Sequence, residues 1–421
     1  MAISRHGLRN LRDAALDTSP VGSILANRTS IHATYRYPAR FSPEFAAAAI
    51  RLFSEPGQLV VDPFCGSGTT GLEALALGRH ALISDLSPLA TFLAAVRGAP
   101  LSTRVEQSVR RWAQVAASMR VDELRKLAAS SDIDGYAMGE LVGPRYAYVM
   151  TALKAWQQLA SQCGEAEGLA RLCLLRCAQA SLDLVGDVPS LPRLRATLLQ
   201  STDNTLQAAS KYAEQVAGAW AGSEKASIFE CLTIPAADLR LPAHVGHVKP
   251  TLAVFSPPYP GVHVLYGRWQ LGGRRETAAP FWLAGVHGDT TETRFTMGRR
   301  GVRHTDEFIE NYKQSISALS RVLVEGSYAV QMIGFVDPSV QLPLVLKAMS
   351  SAGFREQRYV SLATSDDGRL WRSVPSRRWY NRVRESSDSS TPLATGKEVV
   401  LIHRLERRGD LSDGHRISAS A

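Results

Sequence analysis

The chain has few cysteines, no long apolar run and no apolar leader. Five separated cysteines in 421 residues, without a CxxC pair, exclude a disulfide framework or zinc site and are typical of a reduced, cytosolic protein. The absence of 18 consecutive apolar residues excludes a membrane-spanning helix. The basic N-terminus MAISRHGLRNLRD lacks the apolar core of a secretory signal. With 45% hydrophobic and 21% charged residues, the composition predicts a soluble globular protein of one elaborated domain or two.

Acidic residues are scarce in two arginine-rich stretches. Lys and Arg number 48 against 39 Asp and Glu, a net charge of +9. Seven arginines and three acids lie between positions 259 and 304, and six arginines and no acid lie between 369 and 384. The second stretch also contains Trp371, Trp379 and Tyr380. Basic residues interleaved with aromatics are suited to a polyanion with stackable bases, and a solvated surface is the alternative.

The remaining pattern alternates strands and helices. Helices are predicted from Ser42-Pro43, over Thr69–Leu77 and over Asp306–Val324, and this alternation favours a mainly parallel sheet covered on both faces. Because no helix separates the last two strands, they are expected to form an antiparallel edge pair. The predicted strands are Leu59–Val61, Ala81–Ile83, Ile228–Phe229, Leu252–Phe255, Tyr328–Ile333, Arg358–Leu362 and Glu398–His403.

Residues 103 to 222 show only helical periodicity. Thr103 and Glu106 have the spacing of a capping box, and the apolar side chains that follow, including Trp112 and Trp156, share one helix face and predict core. This stretch is interpreted as a helical insertion. The predicted divisions are 1–100, 101–225 (the insertion), 226–405 and 406–421 (a disordered tail).

A glycine-rich loop follows the first strand. In VVDPFCGSGTTG, residues 60–71, glycines precede a helix whose N-terminus offers free N–H groups, and Asp85 ends the next strand. This arrangement predicts a nucleoside-cofactor pocket with Asp85 on the ribose. Gly66-x-Gly68-x-x-Gly71 also fits a dinucleotide fingerprint. Asp62 would repel a pyrophosphate but suits an ammonium or sulfonium, which favours S-adenosylmethionine over NAD.

A second motif, Ser256-Pro257-Pro258-Tyr259, ends the strand Leu252–Phe255. The prolines fix the backbone and lack N–H groups, so this stiff turn presents a hydroxyl, free carbonyls and an aromatic face at the sheet edge. Such a turn is suited to a flat ring that carries an amino group. A proline-rich turn without function is the alternative.

The two motifs together, DPFCGSGTT at 62–70 and SPPY at 256–259, resemble the DNA methyltransferases that modify cytosine N4 or adenine N6. HATYRYPARFSP, residues 32–43, is similar to the segment that precedes the cofactor loop in that family and closes over the methionine end. The resemblance covers about residues 30–97 and 228–403. It implies an α/β, Rossmann-like class I methyltransferase fold with a mainly parallel seven-stranded sheet, an antiparallel edge pair and a large helical insertion.

The resemblance also implies site residues. Ser256 and the Pro257 carbonyl would receive the target amino protons, beside Pro258, and Tyr259 would stack on the base. Asp238 would lie near the adenine. The residues implied to line the S-adenosylmethionine site are Phe41, Asp62, Pro63, Phe64, Gly66, Gly68, Thr69, Asp85 and Asp238. The cofactor half, residues 1–100, here precedes the catalytic half, residues 226–405, which contains SPPY. Many family members have the opposite order.

The target amine and the nucleic-acid contacts are narrower expectations. No cysteine follows a proline, so carbon-5 methylation, which needs such a nucleophile, is excluded. Ser256 is the form usual in cytosine-N4 enzymes; adenine N6, guanine N2 of RNA and a non-catalytic binder are the alternatives. Trp371 is a candidate for the opposite face of the base pocket or for the core. The residues predicted to contact nucleic acid are His263, Arg268, Trp269, Arg274, Arg275, Arg299, Arg300, Trp371, Arg377 and Arg378.

The predicted partners are double-stranded DNA and, in a restriction or protection system, a cognate endonuclease. The predicted location is the cytoplasm, at the nucleoid. The target base would have to leave the duplex stack, which costs a few kcal/mol.

Overall fold

The structure is a computed structural model, and it describes most of the chain. The described residues are 3–17, 30–37, 41–130, 146–185, 187–224, 226–260, 269–271, 275–286, 297–298, 305–335, 337–374 and 396–406.

The centre of the fold is one large sheet. Its strands follow the order β3-β2-β1-β4-β7-β10-β8, and β9 pairs with β10 beside β8. The first five strands in this order are parallel, and β10 is antiparallel to β7, β8 and β9. A separate short hairpin joins β5 and β6. The strands are β1 Leu59–Asp62, β2 His80–Asp85, β3 Phe229–Thr233, β4 Pro250–Phe255, β5 Trp269–Leu271, β6 Arg275–Thr277, β7 Tyr328–Gly334, β8 Phe354–Glu356, β9 Leu370–Val374 and β10 Gly396–Leu405.

Helices cover both faces of the sheet and form an additional layer. Five of them, α5 to α9, lie in the stretch predicted as an insertion. The helices are α1 Arg5–Leu16, α2 Pro43–Phe53, α3 Thr69–Ala76, α4 Pro88–Gly98, α5 Thr103–Ser118, α6 Val121–Ala129, α7 Ala147–Ala160, α8 Glu167–Leu182, α9 Leu191–Ala219, α10 Ala279–Ala284, α11 Thr305–Val322 and α12 Pro338–Ser351.

The strand order places a topological switch point between β1 and β4. The chain builds β1, β2 and β3 outward in one direction and then returns to pair β4 on the other side of β1. Ligands of open α/β sheets bind in the crevice at such a point, beyond the carboxyl ends of the strands. The loops that follow β1 and β4 are the two motif segments, so the sheet brings residues 62–71 and 256–259 to the same edge.

Alternating strand residues separate two cores. Val60 and Val254 pack on the face covered by α1 and α2, and Val61 and Phe255 pack on the face covered by α11 and α12. A third core lies within the helical layer, where Trp112 and Trp156 are buried as predicted. Each helix thus buries the apolar side that its sequence periodicity indicates.

Several predicted element ends are confirmed and some are wrong. Ser42 caps α2 by accepting the Phe45 N–H at 3.2 Å. The cap of α5 is Ser102, whose hydroxyl accepts from Val105 at 3.2 Å, and the predicted cap Thr103 is the first helical residue. The predicted strand Arg358–Leu362 is wrong: these residues form turns.

The strands flanking that turn region add one strand to the predicted seven. Both β8 and β9 pair with different parts of β10, because β10 is ten residues long and offers both partners the same edge. The predicted antiparallel arrangement at this edge is confirmed, but β10 pairs with β8 and β9 and not with the predicted partner Arg358–Leu362. Of the predicted disordered tail, residues 407–421 lie outside the described residues.

Candidate active site

A cavity of about 330 Å³ lies at the switch point between β1 and β4. Its walls come from the loop after β1, the ends of β2 and β3, the SPPY turn and one face of α11. Of the residues predicted to hold a cofactor or the target amine, the cavity brings together Phe41, Asp62, Pro63, Phe64, Gly66, Thr69, Asp85, Ser256 and Pro258.

The loop after β1 depends on two glycines with positive φ. Gly66 has φ +50° and Gly68 has φ +88°, in the left-handed region that favours glycine. Gly68 is the N-cap of α3, and a Cβ on it would lie 2.7 Å from the Cβ of Ala94 on α4. Gly68 does not line the cavity itself. It allows the tight turn that aims the start of α3 at the cavity.

Two carboxylates lie at the strand ends. Asp62 is 1% exposed and accepts the Phe64 N–H at 2.9 Å; burial raises its pKa to about 7, and the nearby charge of Asp85 adds to the shift. Asp85 accepts the N–H groups of Gly66 and Ser87, both at 2.8 Å, and burial raises its pKa as well. A desolvated carboxylate at a cavity wall is stabilised in its charged form by a bound cation.

Cys65 lies in the same loop. Its N–H donates to the Ser84 carbonyl at 2.9 Å, and burial raises the pKa of its thiol well above the usual value. A thiol held in the neutral form is a poor nucleophile. This environment agrees with the exclusion of carbon-5 chemistry.

The SPPY turn divides its side chains between the cavity and the protein interior. Ser256 and Pro258 line the cavity, whereas Pro257 is buried outside its walls. Tyr259 is half-buried, and its hydroxyl donates to Glu398 Oε1 at 3.0 Å. Glu398 is fully buried on β10, and its other oxygen accepts Arg372 Nε at 2.7 Å. The tyrosine ring is therefore held at its outer end by a buried ion pair.

Residues 30–37 and 41–42, which precede α2 and are called the covering segment below, cover the cavity from a third side. Tyr37 and Phe41 both line it, and the Phe41 ring packs edge-on against Phe45 with centroids 5.4 Å apart. Buried Arg97 fastens this segment to the loop after β1: its Nε donates to the Thr34 hydroxyl at 2.9 Å and its guanidinium also donates to the Ser67 carbonyl at 3.1 Å.

The predicted nucleic-acid contacts fall into three groups. Trp269 is a core residue: it is 2% exposed and donates to the Tyr35 hydroxyl at 3.0 Å, so its prediction as a surface contact is wrong. Trp371 is half-buried against the α11 core, donates to Asp367 at 3.0 Å and does not line the cavity. Arg275 lies on β6. The predicted contacts outside the described residues are His263, Arg268, Arg274, Arg299, Arg300, Arg377 and Arg378.

Asp238 is the one predicted cofactor residue, apart from Gly68, that the cavity does not include. It is exposed at the end of a short 3₁₀ turn, Ala236–Asp238. The residues just before it, Pro235 to Ala237, line the cavity through small side chains. Asp238 directly follows the last lining residue, Ala237, and its side chain is exposed.

Some lining residues are missing from the sequence prediction. Asn311, Gln314 and Ser315 form one face of α11 toward the cavity. Polar residues at i, i+3 and i+4 also describe a solvated helix face, so their sequence signal does not distinguish the two. Tyr37 lies within residues 32–43, the segment that resembles the DNA methyltransferases, so the sequence could have predicted it as a lining residue. The other lining residues not predicted are Cys65, Ser67, Leu86, Ser87, Pro235, Ala236, Ala237 and Met297.

Among the described residues, no helix is long and apolar enough to cross a membrane. No group of three or more His, Cys, Asp or Glu side chains in the same part of the chain is arranged to hold a metal ion.

Comparisons with known proteins support one family. Residues 19–91 match the model of the N6_N4_Mtase family, described as DNA methylase. A segment of 67 residues is 28% identical to the Type II methyltransferase M.MjaII of Methanocaldococcus jannaschii, and it covers 16% of this chain and 13% of that protein. Both matches support the DNA amino-methyltransferase family. They span a small part of the chain and of that relative.

Solved structures show only distant likeness. TrmN from Thermus thermophilus aligns with 90% of this chain and 51% of its own, at 11% identity and a TM-score of 0.30. The rRNA methyltransferase aviRa from Streptomyces viridochromogenes aligns with 92% of this chain and 94% of its own, at 12% identity and a TM-score of 0.33. The mostly parallel sheet and the cavity at its switch point fit the predicted Rossmann-like methyltransferase fold.

Proposed function

We propose that this protein is an S-adenosylmethionine-dependent DNA methyltransferase that transfers a methyl group to an exocyclic amino group, N4 of cytosine. One observation carries the proposal: the SPPY turn and the DPFCGSGTT loop, 194 residues apart (256 − 62), line one cavity at the switch point of the sheet. The match of residues 19–91 to DNA methylases supports DNA as the substrate.

The cavity residues fit the proposed cofactor. Within the described residues, the buried carboxylate of Asp62 has no cationic partner among its hydrogen bonds, and a ligand ammonium or sulfonium would supply one. Ser67 Oγ is buried in the cavity wall and finds no hydrogen-bond partner within the described residues. Asp85 has acceptor positions left for ribose hydroxyls after its two N–H bonds. The cofactor, when bound, supplies the activated methyl group.

The chain's own contribution is positioning. An exocyclic amine is a poor nucleophile because its lone pair is delocalised into the ring. Ser256 and the Pro257 carbonyl would accept the two amino protons, which draws the nitrogen toward a tetrahedral geometry and frees the lone pair. A fixed arrangement of acceptors and methyl donor supplies most of the rate enhancement without a covalent intermediate.

The flipped base needs a stacking surface. In this role the Tyr259 ring would contribute about 1–3 kcal/mol, which offsets part of the cost of removing a base from the duplex. The ring is held by its hydroxyl on Glu398. Ser256 in the first motif position favours N4 over N6, and protection of DNA from a cognate restriction endonuclease is the proposed role.

Methylation-aware sequencing of genomic DNA from cells that express the protein tests the proposal. N4-methylcytosine at one recurring sequence is the expected result, and Ser256→Ala should abolish it. Ser102→Ala, at a helix cap far from the cavity, is the matched control and should retain it. Methylation at adenine N6 would refute the N4 assignment. Transfer of label to RNA but not to DNA would refute DNA as the substrate.

A further inference from the structure

The segment that covers the cavity is also attached to the helical layer. On its cavity side, Tyr37 packs over the glycine loop: a Cβ built on Gly66 would lie 3.3 Å from the Tyr37 ring. Tyr37 is 5% exposed, so its ring is enclosed between the loop and the rest of the protein. The position of this ring shapes the wall of the cavity next to Asp62 and Gly66.

The residue before Tyr37 is held by one buried side chain. The Arg36 N–H donates to Gln179 Oε1 at 2.8 Å, and Gln179 Nε2 donates to the Arg36 carbonyl at 2.9 Å. Gln179 lies on α8 and is 3% exposed. A single amide thus satisfies both backbone groups of Arg36, as a neighbouring strand would.

The end of α8 adds two further attachments. Asp183, which follows the last residue of α8, pairs with the Arg36 guanidinium and also accepts the Gln270 N–H at 3.0 Å. Leu184, in the left-handed conformation with φ +62°, donates its N–H to the Gln270 carbonyl at 2.9 Å. Non-glycine residues rarely adopt this conformation, and it persists where surrounding contacts fix it.

We propose that Gln179 is a positioning residue for the cofactor site, through which the helical layer holds Tyr37 against the glycine loop. The inference rests on the proposed function, because it assigns the helical layer a part in binding the same cofactor. Arg36 is the link: the backbone that Gln179 fixes leads directly into Tyr37. Loss of the amide removes the hydrogen bonds of the Arg36 N–H and carbonyl to Gln179, so the backbone at Arg36 is no longer fixed by α8.

The first test measures S-adenosylmethionine affinity of the full chain by calorimetry. Gln179→Leu should raise the Kd about tenfold, as expected from loss of two buried hydrogen bonds. In a Tyr37→Ala background the same substitution should raise the Kd less than about threefold, because both changes act on one wall. Equal losses in the two backgrounds, or an unchanged Kd for Gln179→Leu, would overturn the inference.

Cys177→Ala is the matched control. It truncates a buried side chain on the same helix, whose thiol faces the Leu194 carbonyl at 3.7 Å and not the cavity segment. We expect the melting temperature of this variant to fall while its Kd stays within about twofold of wild type. A Kd loss equal to that of Gln179→Leu would show a general packing effect and reject the positioning role.

A second measurement does not need the cofactor. Hydrogen exchange followed by mass spectrometry should show faster exchange of residues 30–37 in Gln179→Leu, at least fivefold, and no change there in Cys177→Ala. Unchanged exchange in Gln179→Leu would refute the anchor. If the wild type binds no S-adenosylmethionine, the proposed function fails, whereas this exchange result still decides whether Gln179 holds the segment.

Discussion

Cofactor affinity should depend on pH through Asp62. Burial raises the pKa of this carboxyl from its ordinary value of 3.8 to about 7 in the cofactor-free protein. The ionised form attracts the ammonium or sulfonium of S-adenosylmethionine, and the protonated form does not. Lowering the pH through 7 therefore removes the binding-competent form before the protein loses its fold.

The magnitude follows from the ionised fraction. With a pKa of about 7, roughly 90% of Asp62 is ionised at pH 8 and roughly 10% at pH 6, so the Kd should rise about tenfold over this interval. Below pH 6 it should rise about tenfold more per unit until the pKa in the complex is reached. Asp85 has a raised pKa as well and changes affinity in the same direction.

Titration calorimetry at half-unit steps from pH 8 to pH 5.5 measures this dependence. Asp62→Asn should bind weakly at every pH with a nearly flat profile. Asp85→Asn should retain a step but move it to a lower pH, because the Asp85 charge contributes to the raised pKa of Asp62. A wild-type Kd that is constant between pH 8 and pH 6 would refute the reasoning. So would a wild-type profile that Asp62→Asn reproduces.

The same shift has the opposite consequence for folding of the cofactor-free protein. Asp62 ionises near pH 3.8 in the unfolded chain and near 7 in the folded one. The folded state therefore holds more protons between these values, and its stability decreases as the pH rises from about 4 to 7, by up to about 4 kcal/mol. Urea unfolding of wild type and Asp62→Asn at pH 5.5 and 7.5 should show a smaller pH effect in the variant.

Four further substitutions test parts of the site. Gly68→Ala should lower stability by about 1–3 kcal/mol and weaken cofactor binding, because φ is +88° and the added Cβ meets Ala94 at 2.7 Å; a wild-type melting temperature would contradict the strain. Glu398→Gln should lower kcat more than it raises the Kd for the cofactor, because Glu398 accepts the hydrogen bond that holds the Tyr259 ring. Tyr259→Phe removes the same hydrogen bond and should give the same pattern. Equal effects on kcat and on the Kd would indicate general damage. Arg97→Met should raise the cofactor Kd by about tenfold or more, because the guanidinium ties the covering segment to the glycine loop at 2.9 and 3.1 Å; a Kd within twofold of wild type would contradict this role.

Residues in local motifs were the most predictable part of the site. Asp62, Gly66 and Ser256 could be placed on a cavity wall from the sequence because each follows a buried strand, and parallel strands end at one edge. Asp238 could not be placed, since it lies at a turn where one residue separates the cavity wall from the surface. The prediction that Trp269 contacts nucleic acid is wrong because an aromatic residue beside an arginine is as typical of a core as of a nucleic-acid surface.

The edge of the sheet shows a similar limit. The predicted strand Arg358–Leu362 has apolar residues but lies in turns, with Val360 96% exposed. The chain instead uses Phe354–Glu356 and Leu370–Val374, both paired to the long β10. Which short segment forms an edge strand depends on the partner strand that is available. Local periodicity carries no information about that partner.

The sequence by itself determined the strand-helix alternation, the glycine loop, the SPPY turn and the helical nature of the described residues between 103 and 222. These features depend on local backbone preferences and on periodicity, which a linear chain carries in full. Only the tertiary structure decided that Asp62 is desolvated, that Glu398 holds Tyr259 and that Gln179 holds Arg36. Those contacts join residues 139 and 143 positions apart, and burial and distance of this kind exist only after the chain is packed.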